Sequence, residues 1–482
     1  MSVKEDQLHQ RLTPAHISLM AKDLPSQKSS SSKIKDQYNV DRGCHCIATE
    51  TVQQGDLLIL EEPFIRQLDK KHWSNHCSFC FRCLEPSNFR CRKPDCTWPV
   101  RYCSQVCEER GWFGIHQWLC RLPELQEQDP DALFAFQGFI ASQSKVLPEL
   151  ISNQELHSDS TLAEYYDKFS AISNLFYLSP SHVDTLVTIL CQIRCNTFAV
   201  KQARNKQVDA DLVVAREHVV LGRAIYLMAS KLNHDCDPNA IVSFGDTSPC
   251  QMQVRCSKKQ IASKQEITIS YGPLANIHSQ EDRQKRLEQT YFFKCNCSSC
   301  TNKSEHNPDT IYKCQYCKTG KMYRQQSKCP ECQQEAHWPY FLRTESEIEL
   351  YRQQHNYLKV LQLQSALYHP HTLMMGETMD RLAQLYCMQG DMKTASVYSR
   401  KSLDIVQHVH GKISTEAAEE MMKLSTLLLN ACLTGHSYLK QEAVTHIKQT
   451  MVTYRLLGLD KSVPEDMEEL QTALTHLMIA VR

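Results

Sequence analysis

The residues able to do chemistry in this chain are of two kinds: thiols at metal-ligand spacing, and a short polar run paired with one tyrosine. Cysteine supplies 24 of the 482 residues. Between 77 and 120 the candidate ligands are Cys77, Cys80, Cys83, Cys91, Cys96, Cys103, Cys107, His116 and Cys120, nine in all. Two tetrahedral zinc sites take about eight, so one is surplus. Within Cys103/Cys107 and within His116/Cys120 the spacing is one helical turn, so both members of a pair point the same way. Cys314-x2-Cys317-x11-Cys329-x2-Cys332 has four ligands of its own and reads as a zinc ribbon. Cys295, Cys297 and Cys300 form a further group, one ligand short of a structural site. The polar run is Asn233-His234-Asp235-Cys236-Asp237-Pro238-Asn239, followed later by Glu266-Ile267-Thr268-Ile269-Ser270-Tyr271-Gly272. Pro238 locks its own φ and pushes Asp237 to an extended conformation, so the run is bent and non-helical.

The bulk numbers remove several function classes. Lys and Arg total 54 and Asp and Glu total 54, so no global field steers the chain to nucleic acid. The 77–120 segment holds six basic and four acidic residues, too mild a bias for a DNA-binding stripe. No apolar run is long enough to span a membrane, and Met1–Asp6 lacks the apolar core of a signal peptide. The expectation is a monomeric protein of the cytoplasm and/or nucleus, where clustered cysteines hold metal and do not form disulfides. Cys191, Cys195, Cys387 and Cys432 sit in apolar surroundings and read as small buried hydrophobes.

The elements that must position these groups follow from pattern. Residues 1–35 read as an N-terminal helix and a mobile loop. From about 38 to 68, short apolar runs around the turn Gln54-Gly55-Asp56 read as strands. Residues 121–200 carry apolar residues at helix-face spacing, such as Leu133-Phe134-Ala135-Phe136 and Leu186-Val187-x-Ile189-Leu190. Residues 342–482 are helical throughout. His369-Pro370-His371-Thr372 and Gly411-Lys412-Ile413-Ser414, 42 residues apart, open successive helix pairs, a repeat of TPR type.

The Asn-His-x-Cys-x-Pro-Asn run, the Tyr-Gly that ends the later strand and the cysteine triplet together resemble the core of a SET-domain methyltransferase. The Cys/His cluster upstream is similar to a MYND finger and narrows the resemblance to the SET and MYND domain (SMYD) family of protein lysine methyltransferases. The architecture this implies is multidomain α+β: a β-rich SET domain split by a MYND zinc finger and a helical insert, then a post-SET zinc site, an extra zinc ribbon and a C-terminal TPR-like helical domain. The boundaries would be 36–76 for the first SET part, 77–120 for the finger and 121–215 for the helical linker and insert. The core SET part would be 216–275, the post-SET segment 276–303, the ribbon 304–340 and the helical domain 341–482.

The resemblance also implies roles. Asn233 and His234 would meet the methionine part of S-adenosyl-L-methionine, Asn196 would face the same donor, and Phe293 would cover its adenine. Phe198 and Tyr291 would wall the lysine channel, and Tyr271 would be the catalytic tyrosine. Asp41-Arg42-Gly43 stands where the family has a Gly-x-Gly backbone approach to the donor; the first glycine is missing here. In the finger, Cys91 and Cys96 would join His116 and Cys120. Cys103 and Cys107 would take Cys77/Cys80 or Cys80/Cys83, the second favoured by its gap to Cys91. Cys236 would supply the fourth ligand to Cys295, Cys297 and Cys300, giving about four zinc ions in all. The expected activity is methyl transfer to a lysine of a histone or non-histone protein, with a proline-containing peptide as a partner of the finger. The alternative is a weakly active or inactive zinc-bearing scaffold. A narrow apolar channel suits the chemistry, because burial favours the neutral lysine amine.

Overall fold

The computed structural model describes residues 33–479 except 87, 121, 206–215, 246–247, 302–310 and 325. The helix expected within 1–24 lies outside the described residues. The loop expected to reach 35 ends sooner, because Ile34–Asn39 is already a strand. It pairs antiparallel with Gly43–Ala48, and Gly43 opens the return strand at φ 64. A positive φ of this kind is open to glycine at no steric cost.

Two three-stranded sheets make the β core. Leu57–Glu61 lies beside Met252–Cys256, which pairs with Ala240–Phe244. Ile65–Leu68 lies beside Arg216–Ile225, which pairs with Thr197–Asn205. Alternate or consecutive apolar residues of these strands, among them Leu58, Ile59, Val200, Leu221, Ala224 and Val254, are fully buried together. Each such side chain contributes roughly 1.5–3 kcal/mol. The helical expectation for 121–200 therefore overran at its end. Thr197–Asn205 is a strand, because its partner Arg216–Ile225 comes from beyond the segment on which helical spacing was judged.

The helical insert is carried by Pro130–Ala141 and Pro180–Asn196. Both start with proline at the first helical turn behind a capping side chain, Asp129 and Ser179. Phe134, Phe136, Phe139, Leu186, Ile189 and Leu190 bury one face of each helix against the other.

After the cysteine-rich segments the chain is helical from Trp338–Gln353 to Pro464–Ile479. Thr372 and Ser414, the ends of the two repeated tetrapeptides, are both N-cap residues. This helical stack rests on the β core and on the segment that follows it at several points, Ile241 of the core among them. A Cβ on Gly55 would lie 2.6 Å from Leu456, and one on Gly458 would lie 2.5 Å from Arg255. The Asn276 amide donates to the Val409 carbonyl at 2.9 Å. Between core and stack runs a cleft of about 690 Å³, walled by Pro238, Ile241, Phe244 and Gly272 on one side and by Gly411 and Ile413 on the other. Among the described residues no helix is long and apolar enough to cross a membrane.

Candidate active site and metal centres

Four groups of ligand atoms converge, each within 4.8 Å. The first is Cys77, Cys80, Cys103 and Cys107. Cys80 Sγ lies 3.5 Å from Cys103 Sγ, which lies 3.6 Å from Cys107 Sγ. This corrects the preference for Cys80/Cys83. The Phe81 amide turns back on the Cys77 carbonyl at 3.0 Å with Phe81 at φ 64, a knuckle that returns Cys80 to Cys77. Cys83 lies beyond the knuckle, exposed. Cys103 precedes its helix, and Ser104 caps it by accepting from the Cys107 amide at 3.1 Å. The Cys103/Cys107 pair is thus set by a cap, not by a full helical turn.

The second group joins Cys91, Cys96, His116 and Cys120, so the two sites interleave along the chain. Burial lowers His116 to about 4, which keeps the imidazole neutral and fit to ligate. Cys314, Cys317, Cys329 and Cys332 form the third, separate group. Sets of four soft ligands at this spacing suit tetrahedral zinc.

The fourth group ties the chemistry together. Cys236, 1% exposed, lies 3.9 Å from Cys295 Sγ and 3.6 Å from Cys300 Sγ, and Cys297 completes the set. The buried Arg283 donates to Cys300 Sγ at 3.6 Å and to the Ser299 carbonyl at 3.2 Å. Its charge offsets that of clustered thiolates.

The polar run is threaded against the later strand. Asn233–His234 pairs in parallel with Thr268–Ile269. Asn239 fastens the crossing: its side-chain amide donates to the Glu266 carbonyl at 2.8 Å, and its oxygen accepts from the Thr268 amide at 2.9 Å. Asn233 donates to Glu266 Oε1 at 2.9 Å and to the Arg42 carbonyl at 3.1 Å. Arg42 closes the circuit with an ion pair to Glu266 at 3.0 Å. The turn at Arg42–Gly43 is thereby held against Asn233.

Tyr271 sits at the end of this crossing. Its amide donates to His234 Nδ1 at 3.1 Å and its hydroxyl to the Leu232 carbonyl at 2.8 Å. Burial raises its pKa above that of a free phenol, so it stays protonated. The Tyr291 ring lies 4.7 Å away and the Phe293 ring 6.3 Å away, edge to face. Phe293 is also 6.3 Å from the His234 ring. The phenol thus occupies an aromatic-walled site whose far wall is pinned by the fourth cysteine group.

Two further expected donor or channel residues have contacts of their own. The Asn196 amide donates to the Gln192 and Ile151 carbonyls at 2.7 and 3.0 Å, which closes the end of its helix. Phe198 packs edge to face on the buried Tyr226 at 5.7 Å. Three positioning residues escaped the sequence. Glu266 orients Asn233 and Arg42. Glu61 is 3% exposed and accepts from the Met228 and Ala229 amides at 2.9 and 3.0 Å, fixing the turn that precedes Asn233. Asn153 holds the Tyr291 carbonyl at 3.4 Å. The only sequence signal for Glu61 is an acid closing the apolar run Leu57-Leu58-Ile59-Leu60.

Comparison with known proteins agrees with this geometry. Residues 43–272 match the SET domain family. The chain is 28% identical over 276 residues to the N-lysine methyltransferase SMYD2 of Bos taurus, covering 54% of this chain and 58% of that protein. It is 23% identical over 514 residues to the protein-lysine N-methyltransferase SMYD4 of Mus musculus, covering 81% and 63%. The chain thus spans less than two thirds of either relative. A crystal structure of the SET domain of LSMT bound to lysine and AdoHcy aligns with 96% of this chain and 90% of that one, at 11% identity and a TM-score of 0.27, too slight a likeness to bear on the fold. With a SET domain match over residues 43–272 and SMYD proteins among its relatives, the chain is similar to members of the SET and MYND domain (SMYD) family.

Proposed function

We propose that this protein is an S-adenosyl-L-methionine-dependent protein-lysine N-methyltransferase. The observation that carries the reading is Tyr271: a half-buried, protonated phenol, held by the Leu232 carbonyl at the crossing of two chain segments and walled by Tyr291 and Phe293.

The residues present fit the methyl donor. Gly43 has open space where a Cβ would stand, at a positive φ. Asn233 is hydrogen-bonded to the Arg42 carbonyl next to Gly43, and the Phe293 ring stands beside His234. The His234 ring is committed to the Tyr271 amide, with Cys236 Sγ 3.3 Å from its Nε2, so toward the donor it offers backbone and support for Phe293. Once bound, the donor supplies an electrophilic methyl on a sulfonium. The chain's own part is alignment and exclusion of water. The aromatic walls disfavour the ammonium form of an entering lysine. The oxygen lone pairs of Tyr271, oriented by Leu232, face electron-poor groups without ionising. The cleft between β core and helical stack is read as the approach for a protein chain. On the finger we read the exposed Phe89, Val106 and Phe113 as a surface for a proline-containing peptide. The 77–120 segment is read as the MYND finger and the C-terminal stack as TPR-like, in a monomer of cytoplasm or nucleus.

The test is calorimetric titration of the zinc-loaded protein with S-adenosyl-L-methionine, alongside labelled methyl transfer to histones and to a cell extract. Micromolar binding, about −8 kcal/mol, is expected. Tyr271→Phe should keep that binding and lose at least about tenfold in transfer, roughly 1.4 kcal/mol of barrier. Equal transfer by the variant would remove Tyr271 from the chemistry. No donor binding would favour a scaffold, in which Asp41 in place of glycine has cost the pocket.

A further inference from the structure

A second cleft, also about 690 Å³, lies behind the first, where the post-SET segment, the ribbon and the helical stack meet. Its charged and titratable lining is Arg283, Lys321, His369, His371 and His408, with Tyr323. Among the described lining residues none is Asp or Glu. The carboxylate facing it is Asp404, 74% exposed and 3.7 Å from His371 Nδ1. A concavity with fixed positive charge and no lining acid concentrates anions.

Its floor is the N-terminus of the sixteen-residue helix Leu373–Met388. The amides of Met375 and Gly376 turn back on the Thr372 carbonyl at 3.0 and 3.3 Å. Those of Leu373 and Met374, which line the cleft, head a helix and have no preceding turn to bond. Independently, two lining side chains from different elements hold buried polar atoms without partners. Thr372 is 7% exposed and its Oγ1 neither caps the helix nor meets another group. Arg283 is 3% exposed and its Nε is likewise unpaired. Buried polar atoms are nearly always satisfied, so orphans at a cavity wall point to a missing polar ligand. His371 and His408 do not suit a metal ion there: their rings are stacked face to face at 4.4 Å.

We propose that this cleft binds a phosphate group, free or as the monoester of a small molecule. Helix amides, a lysine and imidazoles arranged around one concavity match a multidentate oxyanion. The volume admits a small organic body, which Ile277 and Met374 would meet. A ligand there bridges Arg283, whose Nη2 holds Cys300 and Ser299 and whose Nη1 holds the His278 carbonyl, to the helical stack. It would therefore brace the stack against the post-SET segment. Asn276 and Val409, bonded to each other, form the wall shared with the first cleft.

The proposal does not rest on methyl transfer, and its test reads binding. The zinc-loaded full chain is titrated by calorimetry with inorganic phosphate and with ribose 5-phosphate, at constant ionic strength set with chloride. Saturable binding is expected for at least one. Equal affinities identify the free anion as sufficient, and tighter ester binding identifies the small-molecule form. Lys321→Glu and His408→Glu, both at exposed positions, should each weaken binding at least about tenfold while leaving zinc content unchanged. No saturable heat with either anion, or binding undiminished in both variants, would overturn the proposal.

Discussion

Replacing Cys236 by serine should separate the post-SET segment from the active site without unfolding the β core. Cys236 stands 59 residues before Cys295 and 64 before Cys300, so it is the ligand that closes a long loop. The other three ligands lie within six positions of one another and can hold metal only locally. A structural zinc site is worth about 10–16 kcal/mol at neutral pH. Divided over four ligands, one thiolate represents roughly 3 kcal/mol, or about a hundredfold in zinc affinity. Zinc content measured after exhaustive dialysis against a weak chelator should fall from four per chain to three. The remaining ties are the Ala275 amide on the Cys236 carbonyl at 2.8 Å, which serine keeps, two long bonds of 3.4 Å, from Asn153 to the Tyr291 carbonyl and from the Tyr291 hydroxyl to the Tyr271 carbonyl, and ring contacts of Tyr291 and Phe293. Hydrogen exchange should accordingly rise across 291–300 while Val254 and Ile269 stay protected, because local opening is governed by the contacts of the segment itself. Donor affinity should fall with it, since Phe293 loses its support. Four zinc ions in the variant, or unchanged exchange across 291–300, would refute the idea that Cys236 pins this wall.

Three further outcomes follow from geometry. Cys83→Ser should retain four zinc ions and Cys77→Ser three, measured by the same dialysis; the reverse would restore the Cys80/Cys83 pairing. Asn239→Ala removes two bonds to backbone groups, at 2.8 and 2.9 Å, and should cost about 2–4 kcal/mol in local protection of the Thr268 amide; unaltered exchange there would show that the strand pairing suffices. In the helical stack one Lys423 serves two carboxylates, Asp380 at 2.6 Å and Glu420 at 2.5 Å. Burial raises Glu420 from 4.5 to about 7, so its folded form holds a proton that the unfolded chain releases. Its contribution is present below about 4.5 and is lost as pH rises to 7. Glu420→Gln should therefore protect the stack at pH 8 by at most about 3 kcal/mol and change nothing at pH 4.5, read by thermal unfolding; a gain that does not vary with pH would exclude this cause.

What was legible in the sequence and what was not divide along a physical line. Ligand chemistry is legible because thiols at fixed short spacing have few other uses, and the four clusters assemble from residues visible as candidates. The polar run and Tyr271 were legible for a similar reason: prolines, asparagines and a histidine at set offsets suit few backbones. The Cys77/Cys80 choice was not, because both pairs have two intervening residues and the decision rests on Phe81 entering the left-handed region. The strand at Thr197–Asn205 was missed because its apolar residues continue those of the preceding helix without a breaker, and only the distant Arg216–Ile225 makes it a strand. Glu61, Glu266 and Asn153 were hidden for a deeper reason. Each acts on backbone or side chains many positions away, and an acid or amide in isolation reads as solvated surface. Asn196 shows the converse: a residue assigned to a ligand by resemblance spends its amide on its own helix end. Both of its N–H donors are taken by the Gln192 and Ile151 carbonyls, which leaves its side-chain oxygen and its backbone as the groups that could meet a methyl donor.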